Sequence, residues 1–198
     1  MAEPENASDP LRDRIIDEAL AVAEADAGWY DLRLHLVAER LGVPLSAVLD
    51  HFRDADAIAD AWFARAVRAM LREPEQGFGT LMPSERVQLV LMRWFDAHVA
   101  HRRAVRRMIG AKLHPSHPHH WVPMVFSLSR LIHWALEAAR LDARGLPRQA
   151  EEVGLTLVFL AALRVWLGDA SAGQRRTRAF LRRNLQWLDR LPRPSAAG

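Results

Sequence analysis

The stretch Leu32–Phe52, LRLHLVAERLGVPLSAVLDHF, constrains this chain more than any other. Leu34, Val37, Ala38 and Leu41 recur at helical spacing and share one face. Gly42 follows at once, where a left-handed residue ends a helix. Val43 points back to the core, and Pro44 suits a turn or the first position of a new helix. Val48, Leu49 and Phe52 then give a second apolar stripe. Two short helices joined by a tight turn form a helix-turn-helix, an arrangement whose second helix enters the major groove of DNA.

The rest of the chain is also helical in pattern, and the predicted fold class is all-α. Asp9-Pro10 is a helix start, with Asp as N-cap and Pro at the first position. Leu11, Ile15, Ile16, Ala19, Leu20 and Ala23 carry a buried stripe to about Ala27, and Gly28 stops it. Trp29 and Tyr30 pack into the following turn. Asp54 caps a helix that runs to about Arg72, with Ile58, Ala61, Trp62, Ala66 and Met70 inward. Glu73 to Pro83, with Pro74, Gly77, Gly79 and Pro83, is the clearest boundary. Beyond it, helices are expected from Ser84 to Val99, from Met124 to Leu141, over 148–167 and from Gln174 to Leu191, with a basic segment (Arg102, Arg103, Arg106, Arg107, Lys112) and a proline-rich loop, His114 to Pro123, between the first two. The expected organisation is a three-helix head over residues 9–53, a linking helix over 54–73 and a helical bundle over 84–191.

With 198 residues and half of them apolar, the chain can bury a real core. It has no cysteine, which excludes a disulfide framework and any thiolate ligand or nucleophile. MAEPENASDP has no apolar core and is no signal peptide. The longest apolar run, Val153 to Leu163, is too short for the ~20 residues that span a bilayer. The expected location is therefore the cytoplasm. The net charge of +3 is unevenly placed. Residues 1–71 hold seven arginines against fourteen acidic residues, net −7, while residues 72–198 hold twenty basic against ten acidic, net +10. A DNA-reading head is expected to carry the positive charge, and here it is the acidic part.

Position by position, the organising stretch resembles the DNA-reading module of the TetR/AcrR regulators. Val37-Ala38, Leu41-Gly42-Val43, Val48, His51-Phe52 and the capping Asp54 carry the likeness, from roughly Leu11 to Trp62. The resemblance implies a TetR-like fold in which Pro44, Leu45, Ser46, Ala47, Leu49, Asp50 and His51 face DNA. The chain departs from that pattern at Leu49, where a phosphate-touching tyrosine is usual, and at Ala55, where a lysine is usual. Between Leu45 and His51 there is no Lys or Arg, so phosphate contacts fall to His51, Arg53, Arg33 and Arg40. Two readings stand: a head that binds a palindromic operator, and a helix-turn-helix kept only as a folding unit.

The expected body is rich in aromatic and methionine side chains. Trp94, His98, Met108, Trp121, Met124, Phe126, His133, Trp134 and Trp166 are candidates to line an apolar pocket for a hydrophobic small molecule or lipid. Each taken singly is explained by an ordinary core. Several tryptophans in one body, whose N–H groups want partners, favour a pocket. His114, His117, His119 and His120 lie in HPSHPHHW without a Cys partner, and prolines prevent a helical pair, so the segment reads as a solvated loop, or as one His lining the pocket mouth, rather than a metal site. No nucleophile–base pair, glycine-rich phosphate loop or paired carboxylates are present. The sequence points to no enzyme, no cofactor and no metal.

The last predicted helix alternates Arg175, Arg176, Arg178, Arg182 and Arg183 with Phe180, Leu181, Leu185, Trp187 and Leu188. It suits a homodimer interface built from the last two helices or a basic amphipathic helix on an anionic membrane. Trp166-Leu167-Gly168-Asp169-x-Ser171 with Thr177-x-x-Phe180-Leu181-x-Arg183, and Gly28-Trp29, resemble the ubiquinone-biosynthesis lipid-binding proteins. That likeness implies the same fold used without repression, an isoprenoid lipid in the body and peripheral membrane contact. The leading expectation is a TetR-like homodimeric regulator with a hydrophobic effector. The alternative is the lipid-binding accessory protein with a vestigial head.

Overall fold

The computed structural model describes residues 9–25, 28–112 and 121–191. Among them are α-helices and short 3₁₀ turns and no strand. The chain divides into two compact units, one comprising the residues up to Arg65 with His101–Lys112, the other Ala66–Ala100 with the residues from 113 onward.

The first unit opens with α1 (Pro10–Ala25). The Asp9 carboxylate accepts the Leu11 and Arg12 amides at 3.0 and 3.4 Å, as an N-cap does. Gly28, at φ +120°, leads into a 3₁₀ turn at Trp29–Asp31. Helix α2 (Leu34–Leu41) ends on Gly42 at φ +67°, and the Val43 amide closes back onto the Ala38 carbonyl at 3.0 Å. Helix α3 (Leu45–His51) follows Pro44 directly. Asp54 then caps α4 (Ala55–Met70), accepting the Ala57 amide at 2.7 Å. Ile15, Ile16, Leu20, Val37, Val48, Phe52, Ile58 and Trp62 form the core of this unit.

Helix α6 (Arg102–Lys112) joins the same unit. Its Ala104, Val105 and Met108 are buried. Arg107 donates to the Ala23 carbonyl at 3.5 Å, and just before the helix His101 meets Glu24 at 3.2 Å. From sequence this segment reads as part of the body, because its partners on α1 lie far away in the chain.

The second unit holds the end of α4, a 3₁₀ turn at Phe78–Thr80, α5 (Pro83–His98), α7 (Trp121–Ala138), α8 (Leu146–Leu167) and α9 (Arg175–Asn184). Helix α5 begins one residue before the expected cap. Pro83 takes its first turn, and the Met82 amide donates to Glu85 at 2.9 Å. Ser84 instead gives its amide and hydroxyl to the Asp189 carboxylate, at 2.9 and 2.7 Å. Helix α9 is shorter than its pattern predicts. It ends at Asn184, whose side chain donates to the Phe180 carbonyl, and a 3₁₀ turn, Gln186–Arg190, completes the segment. Leu181, Leu185 and Leu188 are fully buried in the bundle.

Candidate nucleic-acid interface

Helix α3 is set by one inward contact and one tight entry. Val48 is buried to nothing, Ala47 is half-buried and Pro44 fixes the approach. What remains points outward: Leu45 is 51% exposed and Leu49 64% exposed, with Ser46 and Asp50 exposed between and beside them. Residues four apart lie on one side of a helix, so the two leucines form a single outward face.

The basic side chains around this face are mostly engaged. Arg40 pairs with Glu18 at 3.4 Å, Arg53 with the adjacent Asp54 at 3.1 Å, and the His51 ring with Asp9 at 3.1 Å. Arg33 is exposed ahead of α2. Arg12 lies 4.8 Å above the Phe52 ring, a cation–π contact between the start of α1 and the end of α3. A phosphate brought to this face would compete with carboxylates for these side chains. Exposed pairs of this kind are worth ~0–1 kcal/mol each, so the competition is winnable.

Arg65 is built differently. It donates to the Asp13 carboxylate at 2.6 Å, the Asp13 carbonyl at 2.8 Å and Asp17 at 2.5 Å. Burial works to lower its pKa, but the two carboxylates outweigh burial and raise it. This guanidinium ties α4 to α1.

The residues assigned to an effector pocket separate into three groups. Trp94, His98 and Trp166 are buried together in the second unit. The Trp94 and His98 rings meet edge-on at 4.5 Å, Trp94 meets Phe159 at 5.2 Å, and Phe95 bridges Phe159 and Trp166 at 5.7 and 5.5 Å. The Trp166 indole donates to Gln174 at 2.5 Å, and Gln174 in turn donates to Asp96. Met108 is buried in the first unit, and so does not belong with them. His133 and Trp134 are exposed on α7, with the His133 ring 3.3 Å from Arg148. The side chains of Trp121, Met124 and Phe126, and the segment from His114 to His120, lie outside the described residues.

Two surface grooves of the second unit are lined by none of the described pocket candidates. One of about 660 Å³ is lined by Val165, Arg176, Phe180, Arg182 and Arg183 among others. Another of about 490 Å³ runs past Arg72, Glu73, Arg93 and Asp96. The apolar face of α9 is spent on its own bundle, since Thr177 and Leu181 are buried and Phe180 half-buried. The leucines that follow, Leu185 and Leu188, are buried as well. Among the described residues no helix is long and apolar enough to cross a membrane.

Sequence reasoning passed over the carboxylates that organise the second unit. Asp169 accepts both Ser171 and Thr177, and Asp189 caps α5. The signal for the first was present as Asp-x-Ser followed by Thr, which a local cap explains without a lipid.

Among solved structures, the TetR transcriptional regulator from Nitrosomonas europaea ATCC 19718 is similar to 92% of this chain at 38% identity, with all of that chain covered and a TM-score of 0.80. A TetR transcriptional regulator from Rhodococcus sp. RHA1 shares the fold at 18% identity, covering 92% of this chain and 97% of its own, with a TM-score of 0.59. No protein-family model and no curated protein matches.

Proposed function

We propose that this chain, which belongs to the TetR family of transcriptional regulators, works as a homodimer that binds a palindromic DNA operator through its helix-turn-helix heads under control of a hydrophobic small molecule. One observation carries the reading: 38% identity along the whole of a TetR regulator coincides with an α2–Gly42–α3 unit whose second helix holds four side chains outward.

The dimer is assigned to α8. Val153, Leu157 and Leu160 stand 62%, 63% and 45% exposed at helical spacing on one side of that helix. An apolar stripe of this kind suits a self-complementary interface between two copies. We assign the head to residues 9–53, the link to 54–73 and the effector bundle to 84–191 apart from α6, which packs with the first unit. Within the bundle, the Trp94–His98–Phe159 cluster is the place for an apolar effector. Its rings touch, so a ligand enters by parting them, and that is a means of favouring one arrangement over another. Helix α4, which passes from the first unit into the second, is the route by which such a change alters head spacing against the ~34 Å repeat of half-sites.

The test is a genome-wide binding selection with the full chain at low salt. The expected result is an inverted repeat bound by a dimer. Recovery of no enriched site would sink the reading.

A further inference from the structure

We propose that Leu45 and Leu49 read thymine methyl groups in the operator, an inference that rests on the DNA-binding reading above. Among the described residues of the first unit, these are the only large apolar side chains left exposed, and both stand on the same side of α3. No core requirement accounts for them, since Val48 alone anchors the helix inward.

The chemistry of the major groove selects their occupant. Of the four bases only thymine presents a methyl group there, and an apolar side chain meets it without leaving a polar edge unpaired. The usual means of choosing guanine is absent, because no Arg or Lys lies between Leu45 and His51. Asp50 beside them is an acceptor suited to the cytosine amino group and repels phosphate. Residues four apart are separated by ~6 Å along a helix axis. The two leucines therefore address thymines at different, nearby base steps.

The experiment uses the full-length protein and the operator recovered by selection, followed by fluorescence anisotropy at one fixed salt concentration. Each thymine of a half-site is replaced in turn by deoxyuridine, which removes the methyl and nothing else. Removing a buried methyl costs ~0.8 kcal/mol, so wild type is expected to weaken about fourfold at one or two positions. In Leu49→Ala the penalty at one of those positions disappears, and in Leu45→Ala the penalty at the other does. Both sites are exposed, so both variants are expected to melt with wild type. The deoxyuridine series on wild type stands even where a variant fails to fold.

Tight operator binding with no deoxyuridine penalty overturns the inference and leaves the DNA-binding reading intact. Penalties that persist unchanged in both variants overturn it too, as do leucine variants that lose a protein partner but not operator binding. A selection that recovers no site overturns both.

Discussion

Asp169 is the buried carboxylate on which the end of the second unit turns. It accepts the Ser171 and Thr177 amides at 3.0 and 2.9 Å and both of their hydroxyls. Burial alone would raise its pKa, but these hydrogen bonds favour the charged form more strongly and hold the group far below the usual carboxylate range. A depressed folded-state pKa contributes stability that is present above the unfolded value of ~3.9 and is lost as pH falls toward the folded one. Asp169→Asn keeps the shape, removes the charge and turns an NH₂ group toward donors. It is expected to cost about 2–4 kcal/mol at pH 7, read from the denaturant midpoint. The gap to wild type should narrow as pH is taken below about 4. A gap that is unchanged from neutral to acid pH would show that the carboxylate's charge contributes nothing.

Helix α8 and the terminal 3₁₀ turn meet through a contact with no margin. A Cβ built on Gly154 falls 2.6 Å from the Trp187 ring, so the indole of the terminal 3₁₀ turn lies against bare backbone of α8. Gly154→Ala must push that ring aside and is expected to destabilise by about 1–3 kcal/mol. In a Trp187→Ala background the same substitution should cost nothing or help, because alanine favours a helix over glycine. An equal cost in both backgrounds would place the strain elsewhere. This contact also marks where sequence reading stops. The starts of α1 and α4 and the end of α2 were legible, because Asp9, Asp54 and Gly42 act on backbone within a few residues. Val48, Leu49 and Phe52 were legible as a stripe, yet only the structure separates Val48 and Phe52, which are buried, from Leu49, which is not. The early end of α9 and the affiliation of α6 were not legible, since they depend on Trp187, Asp189, Arg107 and Met108 meeting residues remote in sequence.

At the scale of the whole molecule, charge and association decide how such a chain finds DNA. The N-terminal part is net negative, and Arg40, Arg53 and His51 already hold carboxylates. Each phosphate neutralised contributes about −0.9 to the slope of log affinity against log salt. The expected slope for operator binding is therefore shallow, closer to about −4 than to about −10 per dimer, and a steep one would mean that those ion pairs open to phosphate. On the proposed reading, weak phosphate attraction would make simultaneous use of two heads indispensable, and two heads would act together only if the proposed dimer holds, which puts the weight on Leu157. Its side chain is 63% exposed at the middle of the α8 stripe, so Leu157→Glu should leave the fold and its melting unchanged while placing two carboxylates against each other in a symmetric interface. Light scattering should then find monomer at concentrations where wild type is dimer. Operator affinity should fall by on the order of 10²-fold, because the second half-site is no longer bound at the high effective concentration that tethering provides. A variant that remains dimeric moves the interface off α8. A monomer that keeps wild-type operator affinity means that each head binds by itself, and head spacing then cannot be the quantity an effector controls.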